Sequence, residues 1–370
     1  MSAAIRAVRE GSLHPGELRN KEGNMPELNL AGRLVGEKHP PLVIPDIGIN
    51  HGGSLTEARR MVDAAHEAGA ELVKHQTHVV EDEMADVARA IIPGNADVSI
   101  YEIMETCALS FAEEEELKRY VESKGMLYLS TPFSRAAANF LQDIGVKAFK
   151  IGSGECNNHP LVEHVARFGK PVILSTGMNS LPSVQKAVEI LRRHSVAYAL
   201  LHCTNVYPTP HRLVRLGAMT ELSQAFPDAV FGLSDHTESN TACLGAVALG
   251  ASVVERHFTD TKERQGPDIV CSMDKADLAR LLVESREMYL CRGGGKGPVR
   301  EEQPTIDFAY ASVVTTRPVD RGEAFTEKNL WVKRPGTGEL LAEAYSTVLG
   351  RVATRDIAAN QLLRRADVTW

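Results

Sequence analysis

The chain has 370 residues, 43% hydrophobic and 24% charged, with 41 Lys and Arg against 48 Asp and Glu for a net charge of −7. That balance argues against a general nucleic-acid binder, which needs a basic face to displace counterions from phosphate backbones. No apolar run reaches the roughly 20 residues needed to span a bilayer. The length suits a barrel of about 250 residues plus a small appended domain, and any anionic ligand must be held by a few local cations.

Residues 1–24 show no sustained apolar period and read as a flexible arm, with Met25 a candidate start of the native protein beside Met1. From residue 42 a unit recurs: a short apolar strand ending in a polar cluster, then an amphipathic helix. The strands are expected at 42–48, 72–77, 126–132, 148–153, 171–177, 198–204, 230–236 and 252–258. Helices between them show i, i+3, i+4 spacing, as in 54–69 and 181–195, the latter with Pro182 near its first turn. Nearly continuous apolar strands alternating with helices indicate a parallel sheet covered on its outside, and eight such units close into a (β/α)8 TIM barrel over 25–290.

Residues 78–109 are too long for an ordinary strand-to-helix loop, and long loops at that end of a barrel usually serve the active site. A helix near 275–291 is followed by a Gly- and Pro-bearing linker, 291–305, and then by short β-like pieces over 306–370 that form a separate small β-rich domain. The six cysteines are widely spaced, without a CxxC pair or a preceding secretory segment. Reduced thiols in the cytoplasm are the reading, and none is given a catalytic role.

Active sites of such barrels lie at the C-terminal ends of the strands. Those ends carry Asp46, Asn50 and His51; Lys74, Gln76 and His78; Ser130 and Thr131; Lys150, Ser153 and Glu155. They continue with Ser175, Thr176 and Asn179; Thr204, Asn205 and Tyr207; Ser234, Asp235 and His236; and Glu255 with His257. Lys74 and Lys150 sit within strands, either in interior salt bridges to Asp46 or Glu155 or as an anion site joined by hydroxyls and glycine-flanked amides. His236 and His257 end neighbouring strands. Each alone reads as a satisfied core histidine; together they favour a metal site with open positions, suited to an octahedral Mn²⁺-like ion better than to structural zinc. His75 and His78 stay unassigned.

The strings IGINHGGS, VKHQTH, STPFSR, KIGSGECNN, LSTGMNS, HCTNVYPTP, GLSDHT and ERHFTD fall in order on eight strand ends. In them, from about residue 27 to the end, the chain resembles the bacterial sialic acid synthases, the N-acetylneuraminate synthase family. The resemblance implies an α/β chain: the barrel, then an antifreeze-like (SAF, β-clip) domain, which the LWVKRPGTG segment looks like. It also implies a domain-swapped homodimer in which that domain caps the partner's site. It makes His236 and His257 ligands of a divalent metal, Mn²⁺ by preference, with Mg²⁺ or Co²⁺ as substitutes. It assigns Lys74, Thr131, Lys150, Ser153, Asn205 and Ser234 to phosphoenolpyruvate. It gives Gln76, Tyr207 and Asp268 to the amino sugar, with Arg334 of the other subunit on the N-acyl group, and sets Asn95 and Glu155 near the reacting groups. Where the family usually has Glu, this chain has Asp46, one methylene shorter, which implies a backbone shift, an intervening water or reduced activity.

The activity so implied joins phosphoenolpyruvate to N-acetylmannosamine and releases phosphate, with a carboxylate at 46 or 155 handling the water. Relatives making legionaminic or pseudaminic acid from diacetamido-trideoxyhexoses share the motifs, while the KHQTH and PGNADVSIYEIME strings look more like the N-acetylmannosamine branch. A Schiff-base pyruvate aldolase would also use a barrel-strand lysine. A pure carbohydrate-binding role would leave the lysines, hydroxyls and paired histidines at one barrel mouth without a use.

Overall fold

The computed structural model describes residues 25–94 and 96–370, so the arm expected over 1–24 and Asn95 lie outside the described residues. A hairpin absent from the sequence reading comes first: β1 (Glu27–Leu30) pairs antiparallel with β2 (Arg33–Gly36). Ala31 and Gly32, both at positive φ, make its two-residue turn.

The eight expected strands follow as β3 (Leu42–Gly48), β4 (Leu72–Thr77), β5 (Leu127–Pro132), β6 (Phe149–Ile151), β7 (Val172–Ser175), β8 (Tyr198–Cys203), β9 (Val230–Asp235) and β10 (Val253–His257). They form one sheet in the order β5-β4-β3-β10-β9-β8-β7-β6, and every pair is parallel. The end strands β5 and β6 lie side by side, which closes the sheet into the barrel. The strands β6 and β7 are shorter than expected because Gly152, Ser153 and Thr176 already leave the ladder for the loops that build the mouth.

Side chains alternate across a strand, so each sends every second residue inward. The lower inward positions are apolar: Leu42, Ile44, Leu72, Leu129, Ala148, Ile173, Ala199, Leu201, Val230 and Val253 form one buried cluster. Leu28, Leu30 and Val35 of the hairpin belong to it and seal the N-terminal end. The outward positions pack with the helices in a larger cluster that includes Val43, Ile47, Val73, Leu174 and Val254. Helix Leu55–Ala68 starts at Ser54, whose hydroxyl accepts from the Glu57 amide, and stops at Gly69 in the left-handed region. Helix Lys275–Cys291 opens on a reciprocal Asp274/Asp277 capping box.

The long segment after β4 is not a bare loop. It holds helix Val80–Glu83, a 3-10 turn Asp86–Ala90 and helix Ile100–Cys107. Two units part between Gly293 and Gly294. The stretch read as linker carries a 3-10 turn, Arg300–Glu302, and runs into helix Gln303–Ala309, so the boundary drawn at 305/306 cuts a helix. The second unit has β11 (Ser312–Thr315) antiparallel to β12 (Leu330–Lys333) and its own core around Val313, Phe325, Leu330 and Val348. No described helix is long and apolar enough to cross a membrane.

Candidate active site

At the C-terminal ends of the strands the inward positions turn polar and line a cavity of about 320 Å³. Asp46 comes from β3, Lys74 and Gln76 from β4, Thr131 from β5, Lys150 from β6, Ser234 from β9, and Glu255 with His257 from β10. Ser153, Glu155, Asn205, Tyr207, His236 and Asp268 reach it from the loops beyond. Every residue of the first unit to which the resemblance gives a role lines this cavity, apart from Asn95, which lies outside the described residues, whereas Asn50, His51, His78, Ser130, Thr176, Asn179, Thr204 and Asp235, also at the strand ends, do not; Arg334 is an exposed side chain of the second unit.

The floor is a network of charges. Lys74 Nζ lies 2.7 Å from Asp46 Oδ2 and 3.6 Å from Glu255 Oε1, and Lys150 Nζ is also 3.6 Å from Glu255 Oε1. Lys74 donates to Thr131 Oγ1 at 3.4 Å and Ser234 Oγ to Glu255 Oε1 at 3.1 Å. Glu255, placed at the strand end by the sequence but given no role there, therefore links the two lysines, and its Oε2 is buried with no hydrogen bond. The signal was present: residue 255 shares the inward face with His257, two positions on.

Burial disfavours charge on both lysines, but with opposite results. At Lys74 the Asp46 and Glu255 carboxylates outweigh it and hold the ammonium above its ordinary value. At Lys150 burial prevails, opposed by Glu255 and assisted by Lys74, and the amine is lowered. Glu155 is pushed up to about 7, first by burial and then by the charge of Glu83.

Asp46 is drawn back against its own strand. Its Oδ1 accepts from Gly48 N at 3.0 Å and its Oδ2 from Gln76 Nε2 at 3.1 Å. The β3–β4 register shifts between Asp46 and Gly48, and Gly48 has φ 48°, so the strand bulges where the shorter carboxylate sits. Across the cavity Gly177 N donates to Ser153 Oγ at 3.1 Å. A Cβ at Gly177 would stand 1.9 Å from Asn205 Oδ1, so only glycine leaves room for that amide, whose oxygen is buried without a partner.

His236 and His257 face each other, with ring centroids 5.3 Å and planes 27° apart, and Tyr207 stacks on His236 at 4.1 Å. His236 Nδ1 donates to Thr204 O at 3.0 Å, which leaves the Nε2 lone pair for a ligand. His257 Nδ1 is buried with no hydrogen bond, 3.6 Å from Asp46 Oδ2 and 3.8 Å from Asp268 Oδ2. Burial lowers His257; at His236 the Cys203 sulfur and the Thr204 carbonyl outweigh burial and push the ring up to about 9. A cation bound there must displace a proton. Among the described residues no group of three or more His, Cys, Asp and Glu stands in metal-binding geometry. The donors suit a divalent ion with two imidazoles and an otherwise open sphere, and not a closed structural zinc site.

His75 and His51 lie elsewhere. His75 points out of the barrel, and its Nε2 is 3.1 Å from His51 Nε2. Its Nδ1 is 3.3 Å from Glu114 Oε1, the carboxylate oxygen that also accepts from Thr77 and Tyr128. This buried network anchors the outer face of β4, the strand whose inner face carries Lys74 and Gln76.

A closed parallel barrel with a cation-bearing cavity at the C-terminal mouth of its strands, followed by a small β domain, has the architecture of the (β/α)8 enzymes. Residues 61–297 match the NeuB family and residues 310–369 the SAF domain, and the chain belongs to the NeuB family. It is 34% identical over 331 residues to the N,N'-diacetyllegionaminic acid synthase of Campylobacter jejuni, covering 87% of this chain and 98% of that one. It is 35% identical over 315 residues to the N-acetylneuraminate-9-phosphate synthase of Homo sapiens, covering 83% and 87%. The solved N-acetylneuraminic acid (sialic acid) synthetase of Leptospira borgpetersenii serovar Hardjo-bovis, in complex with citrate, superposes with a TM-score of 0.71 at 31% identity, over 77% of this chain and 97% of that one. The resemblance carried by the eight strand-end strings is thereby shown, as is the barrel followed by a SAF domain.

Proposed function

We propose that the protein joins phosphoenolpyruvate to the open-chain aldehyde of an N-acylated amino sugar, forming a nonulosonic acid and releasing phosphate. The observation that carries this reading is the convergence of Lys74, Lys150, Thr131, Ser153 and Ser234 on one cavity beside the facing His236 and His257. Two buried ammonium groups with hydroxyl donors suit a small anion bearing both phosphate and carboxylate. Asn205 Oδ1 and Glu255 Oε2, buried without partners, can only accept, so a bound water or a hydroxyl of the sugar would satisfy them, not the phosphoenolpyruvate anion.

In this reading Lys74 and Lys150 neutralise phosphoenolpyruvate while Thr131, Ser153, Asn205 and Ser234 orient it, and Gln76, Tyr207 and Asp268 hold the sugar. A divalent cation on His236 and His257, Mn²⁺ by preference, would supply a Lewis acid for the aldehyde oxygen. Carbon 3 of the enol bonds to the aldehyde carbon, water adds at carbon 2, and the tetrahedral adduct loses phosphate by C–O cleavage. Glu155, about half ionised at neutrality, takes one proton of the attacking water and passes it to the new alkoxide, giving the alcohol, while the adduct's hydroxyl proton leaves with the phosphate as the C2 carbonyl forms. Asp46 is fully engaged by Lys74, Gln76 and Gly48, which suits a positioning carboxylate better than a proton acceptor.

The KHQTH and PGNADVSIYEIME strings favour N-acetylmannosamine as acceptor. The similarity to the Campylobacter jejuni synthase favours a 2,4-diacetamido-trideoxyhexose as the second reading. Phosphate release with phosphoenolpyruvate and Mn²⁺ is measured against N-acetylmannosamine, its 6-phosphate and the diacetamido sugar. Turnover is expected with N-acetylmannosamine, and inactivity toward all three defeats the synthase reading. The lowered Lys150 amine is the one feature that favours a Schiff-base aldolase; borohydride trapping with pyruvate is expected to leave Lys150 unmodified, and a covalent adduct there would replace the synthase by the aldolase.

A further inference from the structure

His78 and Glu83 lie behind the cavity lining; His78 touches it through Gln76 and Phe133, and the charge of Glu83 is also felt at Glu155. His78 follows β4 directly, and Glu83 ends helix Val80–Glu83. The helix is tied down where Asp82 Oδ2 accepts from Ala136 N at 2.8 Å. The His78 ring is buried and stacks on Phe133, with centroids 4.4 Å and planes 14° apart. Its Nδ1 is 2.8 Å from Glu83 Oε2 and its Nε2 is 3.4 Å from Gln76 Oε1.

The direction of each hydrogen bond follows from what the atoms can do. Asp46 Oδ2, paired with Lys74, only accepts, so Gln76 must turn its NH2 toward it, at 3.1 Å. The Gln76 carbonyl oxygen then faces His78 and also only accepts, so His78 Nε2 carries a hydrogen. His78 Nδ1 faces a carboxylate and carries the other. A flipped Gln76 would set its oxygen against the Asp46 carboxylate and its NH2 against the imidazole N–H, losing both bonds.

We propose that His78, oriented by Glu83, is a positioning residue that fixes the Gln76 amide in a single orientation and so sets the hydrogen-bonding face this wall of the cavity offers to the amino sugar. The proposal rests on the reading of Gln76 as a sugar contact. A glutamine side chain free to rotate and flip presents that face only part of the time, and binding must then order it. The cost falls on the sugar and not on phosphoenolpyruvate, whose lysines Gln76 does not touch.

The test is steady-state phosphate release with each substrate varied in turn, using whichever acceptor the full-length enzyme turns over. His78→Phe keeps a ring on Phe133 and removes both N–H groups. The acceptor KM is expected to rise about tenfold, the strength of one well-placed hydrogen bond, with kcat and the phosphoenolpyruvate KM unchanged within about twofold. His78→Gln, which returns an N–H near the Nε2 position, should recover most of the loss. Glu83→Gln, which leaves the ring in place, should move the acceptor KM the same way by a smaller factor. The double variant Gln76→Ala/His78→Phe should be no worse than Gln76→Ala alone, because the two act as one unit. An unchanged acceptor KM in His78→Phe, or effects that multiply in the double variant, overturns the proposal while leaving the synthase reading intact. If His78→Phe does not fold, Glu83→Gln and His78→Gln decide: a Glu83→Gln enzyme with wild-type acceptor KM overturns it. A wild-type acceptor KM in Gln76→Ala removes the premise and the proposal together, whereas failure with every acceptor is failure of the synthase reading.

Discussion

Asp46 Oδ2 and Lys74 Nζ stand 2.7 Å apart, both buried, in the shortest ion pair of the cavity. Burial opposes the carboxylate charge, but Lys74 and then His257 outweigh it and hold Asp46 below its ordinary value. Removing one partner of such a pair leaves an uncompensated buried charge, which costs about 3–5 kcal/mol. Asp46→Asn keeps the shape and is expected to fall near the low end, because Glu255 remains 3.6 Å from the ammonium. Urea unfolding of the two proteins measures it, and a loss under about 1 kcal/mol would mean that Glu255 alone suffices to hold Lys74.

Much of this site is legible in the sequence because barrel strands obey two simple rules, alternation along the strand and polarity at the C-terminal end. Lys74 with Gln76 shows both. The same rule, applied to 255 and 257, points to Glu255. What alternation cannot supply is the partner across the chain. Glu114 meets His75 through a helix 39 residues away in sequence, and nothing local to either residue announces the contact. The β1–β2 hairpin is missed because Ala31–Gly32 is a weak turn signal beside Asn-Gly. The helices after β4 are too short to show a period. The bulge at Gly48, which seats Asp46, depends on tertiary strand register.

Glu155 makes a prediction about pH. With its carboxyl held at about 7 and acting as proton acceptor, turnover should rise as pH passes upward through about 7 and level off above it. Glu83 is the second cause of that upward shift, after burial. Glu83→Gln removes a negative neighbour, so the carboxyl ionises more easily and the limb moves to lower pH. It should stop short of an exposed carboxylate's value, because burial remains. Rate profiles of kcat between about pH 5 and 9 measure it; a limb that stays in place or moves upward would remove Glu155 as the group observed.

Metal binding is checked without turnover. Calorimetric titration of the metal-free protein with Mn²⁺ should show one site per chain, weakened at least about tenfold in His236→Ala and in His257→Ala. The two losses should not add, since each variant already breaks the same pair of ligands. A variant that binds Mn²⁺ as tightly as the parent would remove that histidine from the ligand set. In the activity assay, EDTA should abolish phosphate release and Mn²⁺ or Mg²⁺ restore it.

Arg334 belongs to the second unit, directly after β12, and its side chain is exposed. A planar guanidinium can hold an amide carbonyl in fixed geometry, and the resemblance to sialic acid synthases gives that task to the arginine of the other subunit. If the SAF domain serves the partner's barrel, two inactive proteins should complement each other. In a mixed dimer of Arg334→Ala and His236→Ala chains, the barrel of the first has its histidine and receives the intact Arg334 of the second. The other site lacks both. Random exchange makes half the dimers mixed with one good site in two, so roughly a quarter of the parent activity should return. If each SAF domain serves its own barrel, every site in every dimer stays defective. Mixed dimers verified by mass spectrometry that remain as inactive as either parent would therefore exclude service in trans.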